Sequence, residues 1–313
     1  MSAQTIKRWI AHHLSVRTRL EPVCVHYLLF LMVAAQKHSF THAARFSGLH
    51  KSAFCKFLRD HFHVAAYTLD DLSKKQAKQL SKGLRPLKDL PWKIALLVDS
   101  TIQHRASLHP ENAQKFNHGK GYVIGHQWTN IILVINEILI PLPPIPFYSK
   151  TYCRAQGLDY QSEPDAVIYY LTNLNLADYI GSYNPHDVIV LADSGYDNKK
   201  IENAIVKKHW NFIIALGKTR SVKSETLYRT TPKSRQWCQM AEFFRNHRRL
   251  KWQTVRFMTN GAKRKRMEFR IRHALGYLRY VGHVQVVCSE FKKRPEGRRK
   301  YLASVVHDLA PSV

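Results

Sequence analysis

The sequence predicts an α/β protein with a helical N-terminal part and a basic, strand-rich segment near the C-terminus. Of its 313 residues, 45% are hydrophobic and only 13 are Gly and 13 Pro, a composition typical of a folded globular chain. Apolar residues recur at helical spacing over residues 1–90. Beyond them, short apolar runs alternate with helical patterns, which predicts a sheet with both hairpin and crossover connections.

The helical part, residues 1–90, contains a segment typical of a helix-turn-helix. Ser39 or Thr41 is predicted to cap a short helix, and Gly48 to end it with a positive φ angle. A second helix begins near Lys51. It would bury Phe54, Phe57 and Leu58 and expose Lys51, Ser52, Lys56 and Arg59. This polar face is typical of a helix that lies against DNA. The alternative is an ordinary helical hairpin.

Membrane insertion and zinc binding are not indicated. The longest apolar run, residues 23–35, contains His26 and is shorter than the roughly 20 residues that span a bilayer, so it predicts a buried helix. The N-terminus lacks the features of a secretory signal, and we expect a cytoplasmic protein. The five cysteines form no Cys-x-x-Cys pair, so no disulfide framework or zinc site is predicted.

Residues 91–217 predict the first part of the sheet and follow a Pro- and Gly-containing linker. Two of the predicted strands are joined by a tight turn near Thr129, and the proline-rich segment 141–150 predicts an extended loop. The predicted strands are 93–98, 121–128, 130–142, 187–192 and 211–216, and the predicted helices are 164–180 and 198–209.

The net charge of +27 indicates a polyanionic partner, with nucleic acid as the first interpretation. Residues 218–300 hold 24 Lys and Arg against five acidic residues, a net charge of +19. Aromatic residues interleave with these cations, which is typical of nucleic-acid surfaces. The run formed by Lys263, Arg264, Lys265 and Arg266 would repel itself without phosphates nearby.

Two aspartates follow strand-like segments: Asp99 in LLVDST and Asp193 in VLADSGYD. If the two strands are parallel neighbours, both carboxylates project from the same edge of the sheet. Carboxylate oxygens are the ligands that Mg²⁺ or Mn²⁺ prefers, and such ions support phosphodiester chemistry. The alternative for either residue alone is a helix cap. We interpret nearby Asp197 as the cap of the following helix, with a role as a neighbouring metal ligand as the alternative.

The order of LLVDST, VLADSGYDNKKI, a basic strand-rich stretch and YLASVVHDL resembles bacterial insertion-sequence transposases of the DDE superfamily, in the branch whose catalytic domain carries a β-strand insertion. The resemblance covers about residues 92–313. It implies an RNase H-like mixed sheet flanked by helices, in which the first and fourth strands lie side by side. Residues 91–217 would be its first part, 218–299 the insertion and 300–313 the returning strand. Asp99 and Asp193 would be the first and second catalytic carboxylates.

The resemblance also implies double-stranded DNA as the partner, at the element's ends and at the target, and a dimer that joins two ends. It implies a third acid as well, a Glu in a Tyr-x2-Arg-x3-Glu pattern, which does not occur downstream of Asp193. Glu290 and Asp308, the late acids at predicted strand ends, are the alternatives for this third ligand. Because the chain ends at Val313, where that helix would begin, we expect a truncated reading frame with impaired or no catalysis.

Two other functions remain open at this point. A non-catalytic DNA-binding remnant would compete with an intact transposase for the same ends. An RNA-binding protein or ribonuclease would share the fold and the metal chemistry.

Overall fold

A computed structural model describes residues 4, 21–33, 40–88, 91–105, 108, 112–118, 121–224, 237–246, 250–258, 266–291 and 299–305. The chain divides into two compact units, residues 1–79 and 80–313. Helices form the described part of the first unit: α1 (Glu21–Val33), α2 (Phe40–Ser47) and α3 (Lys51–Ser81), the last two residues of which belong to the second unit.

The turn between α2 and α3 is the one that the sequence predicts. Gly48 has a φ of 73°, a left-handed conformation that glycine adopts without a steric penalty, and its N–H donates to the carbonyl of Ala44 at 2.9 Å. An apolar core beneath this turn buries Val23, Cys24, Val25, Phe30, Ala43, Phe54 and Phe57. The predicted buried helix around residues 23–35 and the start of the second helix are therefore confirmed.

The described part of the second unit contains a mixed sheet of 13 strands, together with helices. The strand order is β2-β3-β1-β6-β7-β13-β12-β11-β8-β9, with β4 and β5 paired to β3 and β10 paired to β11. The strands are β1 (Ile94–His104), β2 (Gln114–His118), β3 (Gly121–Ile135), β4 (Ile138–Pro141), β5 (Ile145–Pro146), β6 (Val188–Ala192), β7 (Asn211–Leu216), β8 (Ser221–Ser224), β9 (Cys238–Gln239), β10 (Gln253–Met258), β11 (Arg266–Leu278), β12 (Gly282–Phe291) and β13 (Lys300–Val305).

The α-helices of the described residues in this unit lie between strands along the chain, three between β5 and β6, one between β6 and β7 and one between β9 and β10. They are α4 (Lys150–Gln156), α5 (Glu163–Asn173), α6 (Ala177–Ile180), α7 (Lys199–Lys207) and α8 (Met240–Asn246). Strands β1, β6 and β7 are parallel to one another, while β3 runs antiparallel to β1. The α/β architecture predicted from the sequence is confirmed, as are the strands at 187–192 and 211–216 and the strand in YLASVVHDL.

The predicted turn near Thr129 is wrong. Strand β3 runs without a break through Thr129, which is 2% exposed, and the chain reverses instead at Asn136 and Glu137, whose φ angles are 50° and 65°. Two consecutive positive φ angles are what a tight two-residue hairpin requires, and Asn tolerates them better than most residues. The side chain of Asn136 also accepts a hydrogen bond from the N–H of Arg85 at 3.0 Å.

Two further predicted boundaries differ from the structure. Strand β1 does not end at Asp99 but continues to His104, because β3 pairs with it over its whole length. The predicted helix 164–180 is two helices, α5 and α6, because Leu174 adopts an extended backbone that ends α5. Strand β13 lies between β7 and β12, so the strands of the basic segment belong to the same sheet as β1 and β6.

None of the helices in the described ranges is long and apolar enough to cross a lipid bilayer.

Candidate active site

The structure brings Asp99 and Asp193 to adjacent positions on neighbouring strands. In the parallel pairing of β1 and β6, the last matched residues are Val98 and Ala192, so the next residue on each side is one of the two aspartates. Adjacent strands lie about 4.8 Å apart. The register confirms that β1 and β6 are neighbouring parallel strands, which is the condition that the sequence prediction set for the two acids to share one edge.

Both side chains point to the same face of the sheet. Ala95 and Leu97 on β1 pack in one apolar cluster with Ile189 and Leu191 on β6. Side chains alternate between faces along a strand, so residues two positions further on share that face. The backbone of Asp193 is extended, with φ −82° and ψ −175°, and the alternation therefore holds through it. Both aspartates are exposed.

The two aspartates differ in their local roles. The Oδ1 atom of Asp193 accepts the N–H of Gly195 at 2.8 Å and caps the short 3-10 turn Ser194–Tyr196. Asp99 lies within β1, opposite Asn130 on β3, and does not cap a helix. The amide of Asn130 donates to the hydroxyl of Thr101 at 3.1 Å. The helix-cap alternative thus accounts for one oxygen of Asp193 and does not account for Asp99.

Two exposed carboxylates side by side repel each other, and a divalent cation relieves that repulsion. Over the described ranges, no ion pair involves Asp99 or Asp193. Nor does that part of the chain contain a group of three or more His, Cys, Asp or Glu side chains placed to hold a metal ion. The pair therefore offers two hard oxygen ligands on an open face.

Glu290 does not join this pair. It lies on β12, which β7 and β13 separate from β6, and its side chain is 1% exposed. Its carboxylate is paired with Arg270 and with Arg299, the latter at 3.0 Å. Asp308, the other late acid, lies outside the described residues.

A second acidic cluster, which the sequence did not predict, begins four positions after Asp193. The Oδ2 atom of Asp197 accepts the N–H of Gly217 at 2.7 Å, and its Oδ1 atom lies 3.2 Å from the guanidinium of Arg220. The interpretation of Asp197 as a helix cap is wrong, because Asn198 caps α7 by accepting the N–H of Lys200 at 2.8 Å.

Glu202 completes this second cluster from the first turn of α7. Its side chain is fully buried and pairs with Arg220. Burial raises the pKa of Glu202 to about 7, although the charge of Arg220 lowers it in part. The cluster of Asp197, Glu202 and Arg220 is therefore internally neutralised, and its burial points to a structural role.

A hydrogen-bonded network lies on the face of the sheet opposite Asp99 and Asp193. The Oε1 atom of Glu163 accepts the hydroxyls of Thr129 at 3.1 Å and Tyr196 at 3.0 Å, and its Oε2 atom accepts the amide of Gln127 at 2.6 Å. Burial raises the pKa of the Tyr196 phenol well above its ordinary value, so this phenol remains a hydrogen-bond donor. In the sequence, Glu163 carries only the signal of an acidic residue in a first helical turn.

A groove of about 470 Å³ opens beside the second acidic cluster. Basic and aromatic side chains line it in close pairs: the ammonium of Lys199 lies 4.7 Å from the ring centre of Tyr280, and the guanidinium of Arg279 lies 5.2 Å from that of Trp237. Cations held over aromatic rings are typical of surfaces that contact nucleic acid.

The sequence-predicted DNA contacts are only partly described. Lys51 and Lys56 are exposed on α3, and Arg59 lies in the same helix with its side chain outside the described set. Arg266 is the first residue of β11, and its side chain is 60% exposed and 3.8 Å from Glu268. The remainder of the basic run, Lys263, Arg264 and Lys265, lies outside the described residues.

The fold and the aspartate pair together define an α/β protein with two carboxylates on adjacent parallel strands. No protein-family model matches the chain, and no curated protein is significantly similar to it.

Proposed function

We propose that this protein is a DNA transposase of the DDE superfamily, which cleaves and transfers the strands of an insertion sequence with the help of a divalent metal ion. The observation that supports the proposal is the register of Asp99 and Asp193 on adjacent parallel strands of an α/β sheet. The resemblance to these transposases requires such a neighbouring pair of strands in an RNase H-like fold, each strand delivering one aspartate.

Asp99 and Asp193 are the residues that would hold Mg²⁺ or Mn²⁺. Their exposed carboxylates share one face, and oxygen ligands of this kind suit both ions. When bound, such an ion activates water at a phosphodiester and stabilises the charge that develops on the attacking and leaving oxygens. The two carboxylates would fix the reacting phosphate at the edge where β6 ends. The third acid that the resemblance implies remains an expectation.

The charge of the chain supports duplex DNA as the substrate. A net charge of +27 favours phosphate contacts, which give affinity that depends strongly on salt. We propose that the groove with Lys199, Arg279 and Trp237 contacts the backbone near the carboxylate pair, while Lys51 and Lys56 on α3 help to recognise the element's ends. A cytoplasmic, nucleoid-associated location and a dimer that joins two ends belong to the same proposal.

The metal is the sharpest test of the proposal. We expect the 313-residue chain to bind Mn²⁺, as measured by electron paramagnetic resonance or calorimetry. The Mn²⁺ affinity should fall about 100-fold or more in Asp99→Asn and in Asp193→Asn. Loss of a metal ligand should cost more than loss of an outer-shell partner, which costs about 10–100-fold in affinity. Asp178→Asn is the matched control, since Asp178 is exposed on α6. Unchanged Mn²⁺ affinity in both aspartate variants would overturn the proposal.

Nicking of a supercoiled plasmid in Mn²⁺ tests the chemistry separately from metal binding. The resemblance makes us expect weak nicking or none from this chain, and any nicking must disappear in Asp193→Asn. Nicking that persists in that variant contradicts the assigned roles. Duplex binding by a protein that neither binds Mn²⁺ nor nicks would favour the non-catalytic DNA-binding alternative.

Duplex DNA binding is tested by fluorescence anisotropy over a range of salt concentrations. Lys51→Ala and Lys56→Ala should each weaken binding and reduce the slope of log affinity against log salt by about 1. Lys75→Ala, exposed further along the same helix, is the control. Structured RNA that competes better than duplex DNA at matched salt would favour the RNA-binding alternative instead.

A further inference from the structure

Glu163 joins two segments of the chain that are distant in sequence. It is the first residue of α5, whose N-cap is Ser162, and it accepts hydrogen bonds from Gln127 and Thr129 on β3 and from Tyr196 in the turn after β6. Both oxygens of its carboxylate are used. Hydrogen bonds to an ionised acceptor are shorter and stronger than neutral ones, so this carboxylate is a firm anchor for three donors.

The contacts with Thr129 and Tyr196 lead to the two aspartates, one to each. Thr129 pairs across the sheet with Ser100, the residue that follows Asp99. The backbone N–H of Tyr196 donates to the carbonyl of Asp193 at 3.2 Å, and its side chain is only 3% exposed. The carboxylate of Glu163 therefore links the backbone next to Asp99 with the turn that begins at Asp193.

Glu163 is excluded as a ligand of the same ion. Thr129 and Ser100 point to the face opposite that of Asp99, because side chains alternate along paired strands. Glu163 meets Thr129 on that opposite face and acts only through the strands between. A purely local role, stabilising the N-terminus of α5 by its charge, would be shared with Asp165 in the same turn.

We propose that Glu163 is a positioning residue, which holds the segments carrying Asp99 and Asp193 at the spacing that one divalent cation requires. This inference rests on the proposed function. Without the link through Tyr196, the turn after β6 would keep its contacts with Gly217 and Arg220 through Asp197 but would lose its hydrogen bond to Glu163. Asp193 would then be held less firmly relative to the strand that carries Asp99, and the two carboxylates would spend less time at a common distance from an ion.

Mn²⁺ affinity of the full chain is the measurement. Glu163→Ala is expected to weaken Mn²⁺ binding about tenfold, the lower end of what loss of an outer-shell partner costs, and Tyr196→Phe to weaken it about threefold because Thr129 and Gln127 keep their bonds. Glu163→Gln should retain most of the Mn²⁺ affinity, since its carbonyl oxygen accepts hydrogen bonds from Tyr196 and Thr129. Its amide N–H can donate to Gln127 once the Gln127 amide rotates by 180° and presents its oxygen. Asp165→Ala should leave Mn²⁺ affinity unchanged.

The outcomes separate this inference from the function on which it rests. If the wild-type chain binds no Mn²⁺, the proposed function fails and the inference fails with it. If the wild type binds Mn²⁺ and both Glu163→Ala and Tyr196→Phe bind it equally well, the inference alone is overturned. Thermal unfolding followed by circular dichroism checks that each variant is folded; should Glu163→Ala not fold, Tyr196→Phe decides, because it keeps the buried ring.

Discussion

Two acidic clusters share the turn after β6, which begins at Asp193 and ends at Asp197, and they have opposite surroundings. Asp99 and Asp193 are exposed and, within the described residues, form no ion pair, whereas Asp197 and Glu202 enclose the guanidinium of Arg220. A guanidinium placed between carboxylates offsets their charge and stabilises the fold. Carboxylates that lie together without one are available to a cation from solution, so local neutralisation distinguishes the structural cluster from the candidate metal site.

The largest expected effect in this comparison is on stability. Arg220→Ala leaves the buried carboxylate of Glu202 and the partly buried carboxylate of Asp197 without their counter-charge. Breaking a buried pair on one side costs roughly 3–5 kcal/mol in the free energy of unfolding. Urea denaturation measures it. Lys218→Ala, an exposed cation two positions earlier, is the control and should change stability by less than about 0.5 kcal/mol. Equal effects of both substitutions would mean that the cluster does not stabilise the fold.

The second largest expected effect is a change in the free energy of unfolding with pH. The pKa of Glu202 is about 7 in the folded protein against an ordinary value of 4.5. Below pH 4.5 the carboxyl group is protonated in both states; between the two values the unfolded chain loses the proton and the folded chain keeps it. The free energy of unfolding therefore falls as pH rises through this window, by up to roughly 3 kcal/mol.

The free energy of unfolding is measured against pH for the wild type and for Glu202→Gln. Because Gln does not titrate, the difference between the two curves isolates the contribution of Glu202. The difference should fall steadily across the window and level off above it. A difference that does not change with pH would show that Arg220 keeps Glu202 ionised in the folded protein. Glu202 and Arg220 would then form an ordinary buried salt bridge.

The smallest effect contrasts the two clusters directly. Asp197→Asn replaces one of two acceptors that face the N–H of Gly217 and the guanidinium of Arg220, so it should lower the free energy of unfolding by roughly 1.5–3 kcal/mol. Asp193→Asn keeps an acceptor for the N–H of Gly195 and should change it by less than about 0.5 kcal/mol. Thermal unfolding of the two variants checks this. A greater loss in Asp193→Asn would make Asp193 a structural residue.

Local patterns predicted the elements that depend on short-range physics. The left-handed Gly48, the buried strands β6 and β7 and the strand that begins at Lys300 follow from glycine conformation and from the spacing of apolar residues. The prediction of the hairpin turn failed, because residues near Thr129 and residues near Asn136 both carry signals for a turn. Thr129 lies inside a continuous strand because its β-branched side chain suits a strand, while the true turn uses the conformational tolerance of Asn136.

The sequence by itself determined the α/β class, the basic surface and the presence of acidic residues after apolar strands, because composition and periodicity are properties of the chain alone. Only the tertiary structure decided which acids are neutralised and which are open. Asp193 and Asp197 are four positions apart, but of these two only Asp197 pairs with Arg220 in the described residues, because Gly217, at the end of β7, is bonded to Asp197. The link from Glu163 to Tyr196 likewise spans 33 residues and depends on strand pairing that short-range patterns do not encode.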